Sequence, residues 1–129
     1  MPEKPPVHLS RRERQIMDIV YTHNQASVKQ VLADIPDAPG RTAVRTLMRI
    51  LEEKGHLKHK KKSREFIYQA VQPRSQIGRS EFRRVLKIFF NGSLEKAVSA
   101  HLSESKLTPS SAELKRLSRI INAAQRNTA

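Results

Sequence analysis

The chain has 129 residues, with 25 Lys+Arg against 12 Asp+Glu, a net charge of +13 and no cysteine. Such a length suits one domain, or one domain with an appendage, and excludes a large cofactor-holding enzyme, while the missing thiols exclude disulfides, thiolate zinc and a Cys nucleophile and make a reducing, cytoplasmic setting the expectation. No apolar run approaches the ~18–20 residues that span a bilayer and the opening MPEKPPVHLS has no signal-peptide core, so membrane insertion is not expected; the positive surplus points to a polyanionic partner.

Leu9, Ser10 and Glu13 form a helix-start signature, and Ile16, Ile19 and Val20 follow at helical spacing, which predicts a first helix over about Arg11 to His23. Ser27 caps a second, short helix with Val28, Val31, Leu32 and Ile35 on one face, stopped by the Pro36 to Gly40 segment. A third helix over about Arg41 to Lys54 turns Val44, Leu47, Met48 and Leu51 inward, with Gly55 placed for the left-handed position after its end. The period then changes. Leu57 to Lys62 and Glu65 to Val71 read as a hairpin around Lys62, Ser63 and Arg64. Three short helices followed by a hairpin give the winged form of the helix-turn-helix, so residues 1–72 are expected to be a winged-helix domain.

Residues 73–129 read as wholly helical. Phe82, Val85, Leu86, Phe89 and Phe90 share one face, ended by Asn91 and Gly92; Ser93 opens a short helix with Leu94, Ala97, Val98 and Leu102. Thr108 followed by Pro109 reads as a cap and first helical position for a last helix carrying Leu114, Leu117, Ile121 and Ala124. Three helices in some 50 residues can hardly bury these faces alone, so a second copy is expected to cover Leu86, Phe89, Phe90, Leu94, Val98, Leu102, Leu114, Leu117 and Ile121. The fold class expected is therefore mainly α with a small β-hairpin: a winged helix-turn-helix domain followed by a helical dimerisation domain.

Catalytic signatures are absent from the sequence. It has no GxSxG, GxxxxGK[ST] or GxGxxG, its one adjacent acidic pair, Glu52 and Glu53, points two ways on a helix, and its five histidines show no HxxxH or HExxH spacing. Neither an enzyme, a cofactor nor a metal site is expected.

Charge concentrates elsewhere. Arg41 to Arg64 holds nine basic residues against only Glu52 and Glu53, whereas the rest of the first 72 residues is close to neutral. Opposite its apolar stripe the third helix presents Arg41, Thr42, Arg45, Thr46 and Arg49, types that grip phosphate or read base edges in a major groove. The adjacent hairpin carries Lys58, Lys60, Lys61, Lys62 and Arg64, a cluster whose self-repulsion a polyanion relieves. We therefore expect Arg41, Thr42, Arg45, Thr46, Arg49, Lys58, Lys60, Lys62 and Arg64 to contact double-stranded DNA, with Arg64 near the tip suited to a minor groove. A non-specific architectural nucleoid protein, or an RNA-binding one, is the alternative.

The segments LSRRERQIMDIVY, ASVKQVLADI and RTAVRTLMRILEEKGHLKHKKKSREFIYQAV, with the helical tail from FRRVLKIFFNGSLEKAV, resemble the penicillinase-repressor (BlaI/MecI) family of bacterial transcription regulators over about Leu9 to Ile121. VRTLMRILEEKGHL followed by REFIY is the most specific portion. The resemblance implies a homodimeric repressor on an inverted-repeat operator, with the helix at Arg41 to Lys54 reading the major groove, the wing touching backbone, and a membrane sensor-protease as a possible further partner. The chain departs from the family pattern in four places. Ala43 stands where a second Ser/Thr is common, and Ser63 where the wing turn usually has Gly, implying a less strained turn. Ala100 and His101 stand at the Asn-Phe cleavage site of antibiotic-responsive members, and the cysteine pairs of the copper-responsive branch are missing.

Overall fold

A computed structural model describes residues 8–128. The elements run α1 (Arg11–His23), α2 (Val28–Asp34), α3 (Arg41–Glu53), β1 (Leu57–Lys62), β2 (Glu65–Ala70), α4 (Arg74–Phe89), α5 (Leu94–Leu102), a 3₁₀ turn (Ser105–Leu107) and α6 (Ser111–Asn127). The architecture is thus mainly helical with one antiparallel hairpin, as the sequence predicts. Two compact units divide it, Met1–Arg79 and Ser80–Ala129, with the division falling inside α4.

In the first unit local chemistry sets the helix ends. Ser10 and Glu13 complete a reciprocal capping box at the start of α1: the Ser10 hydroxyl accepts from Glu13 N–H, and a Glu13 carboxylate oxygen accepts from Ser10 N–H at 2.8 Å. Ser27 caps α2 by accepting from Gln30 N–H. At the end of α3, Gly55 takes φ 86°, which lets its N–H donate to Glu52 C=O and His56 N–H to Leu51 C=O. That left-handed step is nearly free for glycine and closes the helix while aiming the chain into β1.

Three helices and the hairpin base share one core. Ile16, Met17 and Val20 of α1 meet Val31 of α2, Val44, Met48 and Leu51 of α3, and Leu57 and Tyr68 of the hairpin. Burying such a side chain contributes roughly 1.5–3 kcal/mol, so the inward stripe of α3 locks its outward face in place. Ala26 adds a one-residue third strand: its N–H and C=O exchange 2.9 Å hydrogen bonds with the backbone of Tyr68. The sequence carries no sign of this bridge, because one extended residue has no periodicity. Two polar ties complete the unit. Lys54 Nζ donates to Glu13 at 2.8 Å, joining the end of α3 to the start of α1. Arg12 donates to the carbonyls of Pro36 and Asp37 at 2.6 and 2.8 Å, clamping the turn between α2 and α3.

Two expectations need correction. The wing turn is more strained than expected, since Ser63 adopts φ 59°: a two-residue connection closing the Lys62–Glu65 pair requires a left-handed residue, and serine pays the Cβ penalty that glycine avoids. At the last helix the cap is Ser110, whose hydroxyl accepts from Glu113 N–H, not Thr108. Thr108 instead follows the 3₁₀ turn, where its hydroxyl donates to Glu104 C=O, and the Ser-x-x-Glu spacing of Ser110 and Glu113 wins the cap.

The second unit is described by itself. Ser93 caps α5, and α4 ends where Asn91 and Gly92 both take positive φ and Gly92 N–H reaches back to Leu86 C=O at 2.8 Å. None of its described residues is buried. Phe89 is 71% exposed and Ile121 58%. Leu94, Val98, Leu102, Leu114 and Leu117 are exposed as well, while Leu86 and Phe90 are half-buried.

Candidate nucleic-acid interface

The outward side of α3 is built by the same periodicity that buries Val44, Met48 and Leu51. Arg41, Arg45 and Arg49 lie one turn apart on it, and with Thr42, Ala43 and Thr46 they are exposed. Thr46 Oγ1 donates to Thr42 C=O at 3.0 Å, so the Thr46 hydroxyl oxygen keeps its lone pairs facing outward.

The hairpin rises beside this helix. Register pairs Leu57 with Ala70, His59 with Tyr68 and Lys61 with Phe66. Leu57 and Tyr68 are buried in the core, so strand alternation carries His59, Lys61 and Phe66 on that same side of the sheet, over α3. The result is a concave face lined by Arg41, Arg45, Arg49 and Glu52 of α3, by His59, Lys61, Arg64, Phe66 and Tyr68 of the hairpin, and by Lys29 at the start of α2. Of the residues expected to bind DNA, the structure brings Arg41, Arg45, Arg49 and Arg64 together here. Thr42 and Thr46 lie on the exposed side of α3 beyond its lining, and Lys58, Lys60 and Lys62 fall on the opposite face of β1, exposed but directed away from α3. Lys29 and Lys61 stand outside the expected DNA-contact set, although Lys61 belongs to the basic wing cluster that the sequence shows. For Lys61 the deciding fact is the burial of Leu57 and Tyr68, which sets the face of β1 that looks toward α3.

Charges inside the concavity are organised. Glu52 shares a hydrogen bond with His59 Nδ1, and the His59 ring lies over Phe66 with centroids 4.3 Å apart. Burial raises the Tyr68 phenol above its ordinary pKa, Glu52 adds to this and Arg45 opposes it. Tyr68 therefore stays a neutral hydroxyl across the physiological range. An open concave face with six cations beside a basic hairpin suits a long polyanion such as duplex DNA.

The family model for the penicillinase repressor matches residues 9–123, which takes in nearly all of the first unit, the concave face and most of the helical tail. The chain belongs to the penicillinase repressor family. Membership makes it a DNA-binding transcriptional repressor, of a family that is regulatory and not enzymatic. A search of curated proteins gives no match. Among the described residues no helix is long and apolar enough to cross a membrane.

Proposed function

We propose that the protein is a homodimeric repressor in the cytoplasm that occupies an inverted-repeat operator, each copy laying α3 in a major groove with the hairpin against the flanking backbone. The observation that carries this reading is the common concave face on which Arg41, Arg45 and Arg49 of α3 meet Lys61 and Arg64 of the hairpin. Arginines in this position grip guanine O6/N7 or phosphate, and Thr42 and Thr46 suit thymine methyls and base edges. Lys58, Lys60 and Lys62, on the other face of β1, add phosphate contacts along the flank. Residues 73–129 act as the dimerisation domain, a role supported by the exposure of Phe89, Leu94, Val98, Leu102, Leu114, Leu117 and Ile121. Half-sites then lie about 10 base pairs, or a multiple, apart, and occupancy denies polymerase the promoter. Should a membrane sensor-protease relieve repression, it does so at a bond other than Asn-Phe, a dipeptide this chain lacks.

Selection of bound duplexes from a random pool tests the reading. A two-fold symmetric motif of fixed half-site spacing is expected, whereas recovery of unenriched sequence would replace it with non-specific architectural binding.

A further inference from the structure

Cations dominate the concave face, yet two of its lining residues are acids, Glu52 on α3 and Glu65 on β2. Glu65 stands at the wing turn opposite Lys62. Glu52 is held differently. Arg49 precedes it by three residues on the same helix, but the hydrogen bond that the Glu52 carboxylate makes is with His59 Nδ1. His59 is itself anchored by Phe66 and by Tyr68, whose rings lie 4.3 and 5.5 Å away. A carboxylate left a third exposed is thus pinned in the corner between α3 and the hairpin, on the concave face lined by the arginines.

Such a placement lowers affinity for any polyanion that puts a phosphate there. Non-specific binding consists almost entirely of phosphate neutralisation, whereas a correctly seated duplex gains base contacts that outweigh one local repulsion. Repulsion against wrong arrangements is a means of specificity distinct from attraction to the right one. We propose that Glu52 is a specificity-determining residue that excludes phosphate from this corner, so that duplexes seated out of register lose more affinity than the operator does. His59 is its positioning residue and keeps the carboxylate away from Arg49. The inference rests on the DNA reading above and adds to it a residue that works by rejection.

Dissociation constants measured by fluorescence anisotropy on a duplex selected by the native protein, and on its scrambled counterpart, test this. Glu52→Gln is expected to tighten scrambled binding about threefold to tenfold per subunit and selected binding by less, so that the preference narrows. Glu53→Gln removes the same charge from the next residue, which is exposed and does not line the concavity, and is expected to leave the preference at its native value. His59→Phe keeps the ring on Phe66 but frees the carboxylate, and is expected to narrow the preference partway. Circular dichroism establishes that each variant is folded. A Glu52→Gln preference equal to native, or equal narrowing by Glu53→Gln, overturns the proposal; a native preference retained by His59→Phe overturns the positioning role. Native protein that binds both duplexes alike overturns the operator reading itself, which separates the two failures.

Discussion

Side-chain direction decides which cations work together. Arg45 sits mid-way along the exposed face of α3, inside the concavity, so Arg45→Ala should cost about 1–3 kcal/mol on the operator and little on scrambled duplex, read as the ratio of the two dissociation constants. Lys60 faces away from α3, and Lys60→Ala should weaken both duplexes alike and by less than Lys61→Ala, whose side chain lines the concave face. The sequence displays five cations in the wing without distinguishing these two faces until Leu57 and Tyr68 are seen to be buried. Glu13 caps α1 as its sequence spacing predicts, but its tie to Lys54 is revealed only by packing. Burial pushes its carboxyl up, but hydrogen bonds from Lys54 and Ser10 outweigh this and hold it below the usual range. A carboxyl with a lowered folded pKa contributes stability that is complete above the unfolded value, about 4.5, and is lost as pH falls through the lower folded value. Glu13→Gln should therefore lower stability by about 1–2 kcal/mol near neutral pH and flatten the loss below pH about 4.5, measured by denaturant unfolding across that window.

At the scale of elements, helices and strands follow from signals a few residues long. Ser10 with Glu13, Ser27, Gly55 and Ser93 all stand where the sequence places helix ends, because capping is satisfied within one turn and does not wait for tertiary contacts. The exception is instructive. Thr108 and Pro109 satisfy the local pattern, but so do Ser110 and Glu113, and two overlapping patterns leave the choice to the preceding 3₁₀ turn. Ser110→Ala should cost about 1 kcal/mol of helix stability whereas Thr108→Ala costs a few tenths, compared by thermal unfolding followed at 222 nm. The Ala26 bridge and the Arg12 clamp on Pro36 and Asp37 join elements far apart in the chain, and neither has a local signature.

For the whole molecule, the apolar faces of α4, α5 and α6 stay uncovered within their own unit. In the homodimer proposed above, pairing with a second copy removes that area from water, at about 25 cal/mol per Å². Phe89→Glu together with Ile121→Glu is expected to give a monomer in light scattering at micromolar concentration while circular dichroism shows the winged unit folded. Operator affinity should then fall steeply, since two half-sites no longer bind as one ligand. With about four phosphates neutralised per copy, the proposed dimer should show a log-log salt slope near minus seven, and the monomeric variant about half of it.

The amino-acid sequence by itself determined the order of elements, the inward and outward faces of α3 and the location of the positive charge, because each rests on spacing along one helix or one turn. It determined the family as well, through contiguous segments. Tertiary structure alone decided which face of β1 looks toward α3, which lysines join the arginines, where Glu52 is pinned and how Arg12 and Glu13 tie the helices. Those outcomes depend on burial of Leu57 and Tyr68 and on partners 24 to 41 residues apart, and no local pattern encodes a contact that only the closed core brings into reach.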